Sequence, residues 1–411
     1  MKYNRYREAV ELALEDKIKS GELRIEAENG NPNHIIMNVT IFVVGAGRGP
    51  LVNASLDAVE NVNRSNAKIV GSATKISIHP TLVAIEKNQC AVLYLQSLKT
   101  HDARWRHVTV IECDMRVAYN NPFLSSIIKG PETNKVDIVV SELLGSFGCN
   151  ELSPECLDGF QRSGLMKETC ISIPQSYTSY IAPVTSMKLH SEVQAHAFFP
   201  SNPLRGPGGE ATGVMQAMET PYVVRSHLAS QTHEEQPCWD FSHPTKKTNI
   251  SIKDSVLGIN NERSAEILFS GGKRGFAYGS GYGQKNATLS LLNGSIRDES
   301  SDGTTIHGLL GTFSCVLYKS TSGSQATISI QPSSFSVGMF SWFPLFFPLR
   351  DPMFVPSGGS VQCGIWRKVE AANGGGRVWY EWCVSIMSKS NEILSISPIH
   401  NPNGRSCVVR L

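Results

Sequence analysis

Two carboxylates set on either side of a short loop can be aimed at a single cation. Glu142 and Glu151 are spaced in that way. The apolar run Val136-Asp137-Ile138-Val139-Val140 reads as a buried strand. It leads into Glu142, and Gly145-Ser146-Phe147-Gly148-Cys149-Asn150 returns the chain to Glu151. Acidic side chains in a loop are most simply solvated. Whether these two form a site depends on the elements around them.

Those elements follow a pattern. Ile35–Val44 reads as a strand ending in Ile41-Phe42-Val43-Val44, then Gly45-Ala46-Gly47-Arg48-Gly49-Pro50, then a helix-like stretch from Leu51. Strand, glycine turn and helix form the nucleotide-binding unit of a doubly wound sheet, where backbone and free helix N–H groups meet the ligand. The dinucleotide fingerprint needs Gly or Ala three residues after its second glycine. Pro50 stands there, and the third glycine comes early, at Gly49. This spacing favours a methyl-donor nucleoside, which has no pyrophosphate, and makes an NAD-dependent oxidoreductase a weak reading. Leu82–Ile85 ends in Glu86, followed by Lys87 and Asn88, the position of an acid that grips ribose hydroxyls. Val108–Cys113 ends in Asp114, placed to accept from an adenine amino group, with Met115 able to lie on the ring. Any one such acid is most simply a helix cap. Four stations after successive strands, the last being Glu142, mark the ligand-binding edge of an open α/β sheet. Upstream, residues 4–19 have helical spacing, with Ala9, Leu12, Ala13 and Ile18 on one face, and Glu26–His34 is a polar link.

After Thr169 the pattern changes to short β-branched and aromatic runs separated by turn residues, from Ile171–Ile173 to Val378–Trp382. These predict an antiparallel barrel or sandwich. The fold class is thus α/β followed by β, divided at 1–170 and 171–411. Residues 270–303 are Gly- and Ser-rich and predict a long insert or disordered loop. At 411 residues, 41% hydrophobic and 18% charged, the chain is ordinarily globular with more than one core. Net charge +2 implies no bulk attraction to nucleic acid or anionic membrane. The N-terminus has no apolar stretch of a secretory signal. The most apolar run, Phe340–Leu349, is about half a membrane span and holds two prolines. Ten cysteines without metal-site spacing fit a reducing cytoplasmic or nuclear location and exclude a zinc site.

The stretch SELLGSFGCNELSPECLDG (141–159) resembles the double-glutamate loop of the protein arginine methyltransferases. VVGAGRGPLVNASL (43–56), AIEKN (84–88), DMR (114–116), MFSWFPLFFPL (339–349), VWYEW (378–382) and IHNPNGRS (399–406) extend the resemblance over nearly the whole chain. Phe-Ser-Trp-Phe at 340–343 marks the type II branch, which makes symmetric dimethylarginine; other branches carry a Thr-His-Trp loop. The resemblance implies a Rossmann-like S-adenosyl-L-methionine-dependent methyltransferase domain followed by a β-barrel domain for substrate and dimerisation. It places Tyr3, Gly45, Gly47, Leu51, Glu86, Lys87, Asp114, Met115 and Cys156 on the donor pocket. Glu142 and Glu151 fall in the catalytic role, with Leu143, Trp342 and Phe343 against substrate. Implied substrates are Gly/Arg-rich tails of histones and RNA-processing proteins, and the chain is expected to form a homo-oligomer.

Arginine keeps its charge at physiological pH, and two carboxylates suit its planar fork. They would localise charge on the bound nitrogens and leave one ω-nitrogen aimed at the methyl group. Guanidinium and sulfonium bring two positive charges, which the two glutamates balance. Trp342 and Phe343 would wall the guanidinium by cation–π contact. Cys149 and Cys156 receive no nucleophilic role, and His243 and His400 are expected to make structural hydrogen bonds. Family members carry, before the Lys-Tyr seen here as Lys2-Tyr3, a barrel domain and a segment whose Phe favours symmetric product. The chain as given starts after them, so the family's WD-repeat partner is not expected to bind, and a catalytically impaired, oligomerising form is the alternative reading. Residues 70–81 are expected to interrupt the second strand, and a smaller insert is expected near Ser388–Ser395.

Overall fold

The computed structural model describes residues 1–27, 34–66, 75–196, 209–226, 228–245, 261–270, 277–278, 303–372 and 375–411. Its first half runs α1 (Lys2–Ser20), β1 (Arg24–Ala27), β2 (His34–Val44), α2 (Pro50–Asn66), β3 (Lys75–Glu86), α3 (Gln89–His101), β4 (Thr109–Glu112), α4 (Pro122–Lys129), β5 (Val136–Ser141), α5 (Ser153–Arg162) and β6 (Met166–Ile173). The strands form one sheet in the order β4-β3-β2-β5-β6, all neighbours parallel, with β1 antiparallel beside the first part of β2. Both faces are covered, which is why these strands read as unbroken apolar runs. Ile41 and Val43 pack into one hydrophobic layer with residues of α1 and α2, while Phe42 and Val44 pack into the other with Leu157 and Phe160 of α5.

Two expectations are corrected here. The polar link from Glu26 begins as strand, Glu26 and Ala27 pairing with Ile36 and Ile35; residues 28–33 lie outside the described residues. The stretch expected to interrupt the second strand instead lengthens it: Lys75–Thr81 pairs in parallel with His34–Thr40. Ile76 and Ile78 alternate with polar residues and pack on the same layer as Leu82, so the period-two pattern of a strand is continued. Residues 70–74 of that stretch lie outside the described residues.

The parallel sheet ends at Ile173, and the antiparallel pairing of the second half starts with Ser176–Thr185. An eight-stranded sheet is built around Ser176–Thr185, Gly303–Lys319 and Leu345–Pro356. A five-stranded sheet is built around Arg263–Phe269, Ser360–Ala372 and Gly375–Met387. This is the antiparallel second domain that the strand pattern predicts. Of the expected insert at 270–303, residues 271–276 and 279–302 lie outside the described residues, and Ala277–Tyr278 pairs with Ala229–Ser230. The segment near Ser388–Ser395 forms a tight turn closed by Ser388 N–H to Glu392 O (2.8 Å), then the strand Ile393–Ile396. Helix α1 joins the domains. Its Asp16, 6% exposed, accepts from Tyr318 Oη, Ser320 Oγ, and Thr321 N–H and Oγ1 at 2.7–2.9 Å.

Candidate active site

The loop between the two glutamates is locked before either side chain is placed. Gly145 and Gly148 exchange backbone hydrogen bonds (N–H to O 3.2 and 2.9 Å), and Phe147 N–H donates to Asn150 Oδ1 at 2.6 Å. Gly148 has φ +72°, where a side chain is disfavoured. The Phe147 ring is fully buried and makes edge contacts with Trp239, Phe347 and Tyr380 at centroid distances of 5.3–5.8 Å. It plugs the loop into the β domain. Ser179 Oγ donates to Phe147 O (2.8 Å), and Trp342 Nε1 donates to Leu144 O (2.7 Å). Trp342 is therefore tied to the backbone of the double-glutamate loop, nearly two hundred positions upstream.

Glu142 follows β5 directly. Its Oε2 accepts from Lys2 Nζ at 2.8 Å, and the same ammonium lies 4.8 Å from the Trp342 ring centroid and 5.1 Å from that of Tyr3. A cation thus sits between a carboxylate and an aromatic face, and cation–π attraction adds to the ion pair. Glu151 shares the field of Glu142. Glu151 as a whole residue stands exposed, yet partial burial of its carboxyl, and then the charge of Glu142, push that carboxyl above the ordinary glutamate range, while Lys2 pulls the other way. Leu143 lies partly buried on the sheet side, its Cδ2 3.1 Å from where a Gly45 Cβ would stand. At Phe343 the Arg225 guanidinium lies over the ring at 5.4 Å. Of the two expected aromatic walls, Trp342 is the one seen against the carboxylate's cation.

The glycine turn lies beside this loop. Gly45, Gly47 and Gly49 have φ of +71°, +55° and +85°. A Cβ at Gly49 would come within 2.5 Å of the Trp105 ring, so this glycine serves packing. A Cβ at Gly47 would meet nothing within 4 Å, so the turn leaves space there. Glu86 fixes the turn: Oε2 accepts from Gly47 N–H (2.8 Å), and Oε1 from the N–H groups of Lys87 (2.9 Å) and Asn88 (2.8 Å). About one of the four acceptor positions of a carboxylate remains for a ligand. Asp114 caps the turn at Met115–Asn120 through Arg116 N–H and grips the Arg116 side chain (Nη2 to Oδ2 2.6 Å), with Lys87 Nζ at 3.9 Å. The carboxylate expected to meet an adenine is here committed to Arg116. Burial raises its pKa, but the hydrogen bonds from Arg116 outweigh this and hold it below the usual range. Met115 Cε would be 3.3 Å from a Gly45 Cβ. Cys156 shares the field of Arg116 and Asp114, and burial pushes its thiol up to about 11. It is neutral at physiological pH, in keeping with no nucleophilic role. Leu51 is 2% exposed in the hydrophobic layer, so its side chain belongs to the core. Gly45, Glu86 and Asp114 stand at or just after the ends of the adjacent strands β2, β3 and β4, with Glu86 and Met115 beside the glycine turn, and the open space at Gly47 fits an adenosyl group.

His400 stacks on Trp382 (5.2 Å) and accepts from Arg350 N–H at 3.0 Å, a structural role. His243 is buried beside Tyr177 Oη (3.4 Å), and burial lowers it to about 4. Among the described residues no group of His, Cys, Asp and Glu is arranged to hold a metal ion. Sequence reasoning missed Lys2 as a contact of Glu142, and Arg116 as the partner of Asp114. A lysine beside Tyr3 carried no local signal, whereas an arginine two residues after a capping acid did.

This parallel-sheet domain, with its strand-end acids and paired-glutamate loop seated on an antiparallel β domain, has the architecture of the arginine methyltransferases. The solved Arabidopsis thaliana protein arginine methyltransferase 10 superposes at a TM-score of 0.56 with 15% identity, over 88% of this chain and 89% of that one. The Trypanosoma brucei PRMT1 enzyme–prozyme complex with AdoHcy gives 0.53 with 13% identity, over 91% and 89%. Residues 1–173 match the model of the PRMT5 arginine-N-methyltransferase, and 176–409 match the PRMT5 oligomerisation domain. The chain is 36% identical over 411 residues to protein arginine N-methyltransferase 5 of Oryza sativa and 37% over 412 residues to that of Xenopus laevis. Both alignments take in all of this chain and 47% and 48% of the relatives, so it spans about half their length. The chain belongs to the PRMT5 family.

Proposed function

We propose that this chain is the catalytic half of a protein arginine N-methyltransferase, moving methyl groups from S-adenosyl-L-methionine to arginine ω-nitrogens. The observation that carries this reading is the cation seat at Glu142. The Glu142 carboxylate and the Trp342 indole face flank one ammonium, that of Lys2, and the charges of Glu142 and Lys2 both act on the Glu151 carboxyl. When bound, the donor supplies an electrophilic methyl group on a sulfonium. Glu142 holds the guanidinium as it holds Lys2, and Trp342, tied to Leu144 O, shields one side of the seat. The hairpin fixes the two carboxylates relative to each other, so the guanidinium fork is oriented before reaction. Glu151, whose carboxyl lies above the ordinary glutamate range, accepts the proton that the product must lose. Glu86, through Gly47 N–H, keeps the glycine turn open on the donor side.

Symmetric dimethylation is proposed as the product, on the support of the Phe-Ser-Trp-Phe stretch and the family match. Gly/Arg-rich tails of histones and RNA-processing proteins are proposed as substrates, and oligomer formation is supported by the match to the oligomerisation domain. Ten free cysteines support a reducing cytoplasmic or nuclear setting. The test is to incubate the chain with labelled S-adenosyl-L-methionine and paired peptides, one Gly/Arg-rich and one with lysine in place of each arginine. Label on the arginine peptide alone supports the reading. Label on neither, with donor bound, contradicts it.

A further inference from the structure

Behind the loop that carries Glu151 lies a second, buried cation. Arg367, in the strand Ser360–Ala372, is 0% exposed. Its fork meets Glu155 with two 2.8 Å contacts, Nη1 to Oε1 and Nη2 to Oε2. Nη1 also donates to Asn261 O (2.8 Å), and Nη2 to Cys149 O (3.4 Å). Cys149 precedes Glu151 by two residues, and Glu155 stands in the first turn of α5. One guanidinium of the β domain therefore holds the chain on both sides of Glu151. Leu152, between them, has φ +67°, a conformation that needs support from its surroundings. One turn further, Asp158 accepts from Asn261 Nδ2 (3.1 Å) and Thr245 Oγ1 (2.7 Å), continuing the same contact along α5. A buried ion pair is seldom a better stabiliser than apolar side chains of equal volume. Stability alone is a poor reason for this one, and its geometry suggests another.

We infer that Arg367 is a positioning residue: through Glu155 and the Cys149 carbonyl it sets where the Glu151 carboxylate stands, so the β domain completes the methyl-transfer site from behind. This rests on the reading of Glu151 as half of the arginine clamp. The test uses the full chain with Arg367→Lys, which keeps the charge and loses the fork, and with Arg367→Met combined with Glu155→Gln, which leaves no orphaned charge. Donor affinity is read by calorimetry, kcat and KM on a Gly/Arg peptide across pH, and the Glu151 carboxyl titration by NMR. Displacement of a reacting group by about 1 Å costs about 100-fold. The expected result is a fall in kcat of that order, unchanged donor affinity, and a Glu151 midpoint moved toward the ordinary glutamate range. Unchanged kcat and midpoint in both variants, or donor affinity falling by the same factor as kcat, would overturn the inference. Arg367→Lys decides if the double variant does not fold. A wild-type chain that transfers no methyl to arginine would sink the clamp reading, and the Glu151 titration would then judge Arg367 by itself.

Discussion

Glu142 lies close enough to Glu151 for its charge to raise that carboxyl's pKa, as like charges do. Lys2 relieves the repulsion: its ammonium is 2.8 Å from Glu142 and lowers the pKa of Glu151. Replacing it by Met therefore raises the Glu151 midpoint further, which an NMR titration of the carboxyl reads directly; an unmoved midpoint would show that Lys2 does not reach it in solution. The sign for activity follows. On the proposed function, Glu151 must be deprotonated before it receives a guanidinium, so kcat/KM for peptide is expected to fall as pH drops through its raised pKa. The acid limb of the profile is expected above the ordinary glutamate range and higher still in Lys2→Met. A limb at the ordinary position would contradict the burial that raises this carboxyl.

At the scale of elements, the three glycines of one turn do different work, and substitution separates them. Gly49→Ala combines a φ of +85° with a Cβ 2.5 Å from Trp105. The left-handed conformation costs about 1–2 kcal/mol and overpacking about 1–3 kcal/mol, so denaturant unfolding is expected to show a loss of about 2–5 kcal/mol. Gly47→Ala meets no neighbour and is expected to lose only the first term, about 1–2 kcal/mol, while filling the space over the turn and weakening donor affinity by calorimetry. Equal losses of stability would refute this division. The turn and its strands were legible in the sequence because Ile41–Val44, Leu82–Ile85 and Ile138–Val140 are unbroken apolar runs followed by a glycine or an acid within two residues. The stretch that contains Lys75–Thr81 was expected to interrupt the strand because the family that the sequence resembles has no counterpart to it. The alternation of Ile76 and Ile78 was the better guide. Arg367 was not legible either, although Val361, Cys363, Ile365 and Arg367 share the inward phase of one strand and are all 0% exposed. A charge on an inward phase is the signal that would have found it.

For the molecule as a whole, the site is assembled across the domain boundary, and contacts spanning it are the part no local pattern reveals. Trp342 reaches Leu144 over 198 positions, Arg367 reaches Glu155 over 212, and Asp16 reaches Thr321 over 305. Burial raises the pKa of Asp16, but the hydrogen bonds from Thr321, Ser320 and Tyr318 outweigh it and hold the carboxyl below its ordinary value. A depressed pKa contributes stability that is present above the unfolded-state value and lost as pH falls through the folded one. Thermal unfolding followed through that acid range should show this loss in the wild-type chain and a smaller pH dependence in Asp16→Asn; identical slopes would remove Asp16 from the joint. The central claim, that two glutamates on one locked hairpin hold an arginine for methylation, is tested most directly by Glu142→Gln in the full chain. Transfer from labelled S-adenosyl-L-methionine to a Gly/Arg peptide is predicted to fall by about 100-fold or more, with donor affinity unchanged by calorimetry. Transfer at the wild-type rate by Glu142→Gln would contradict the account.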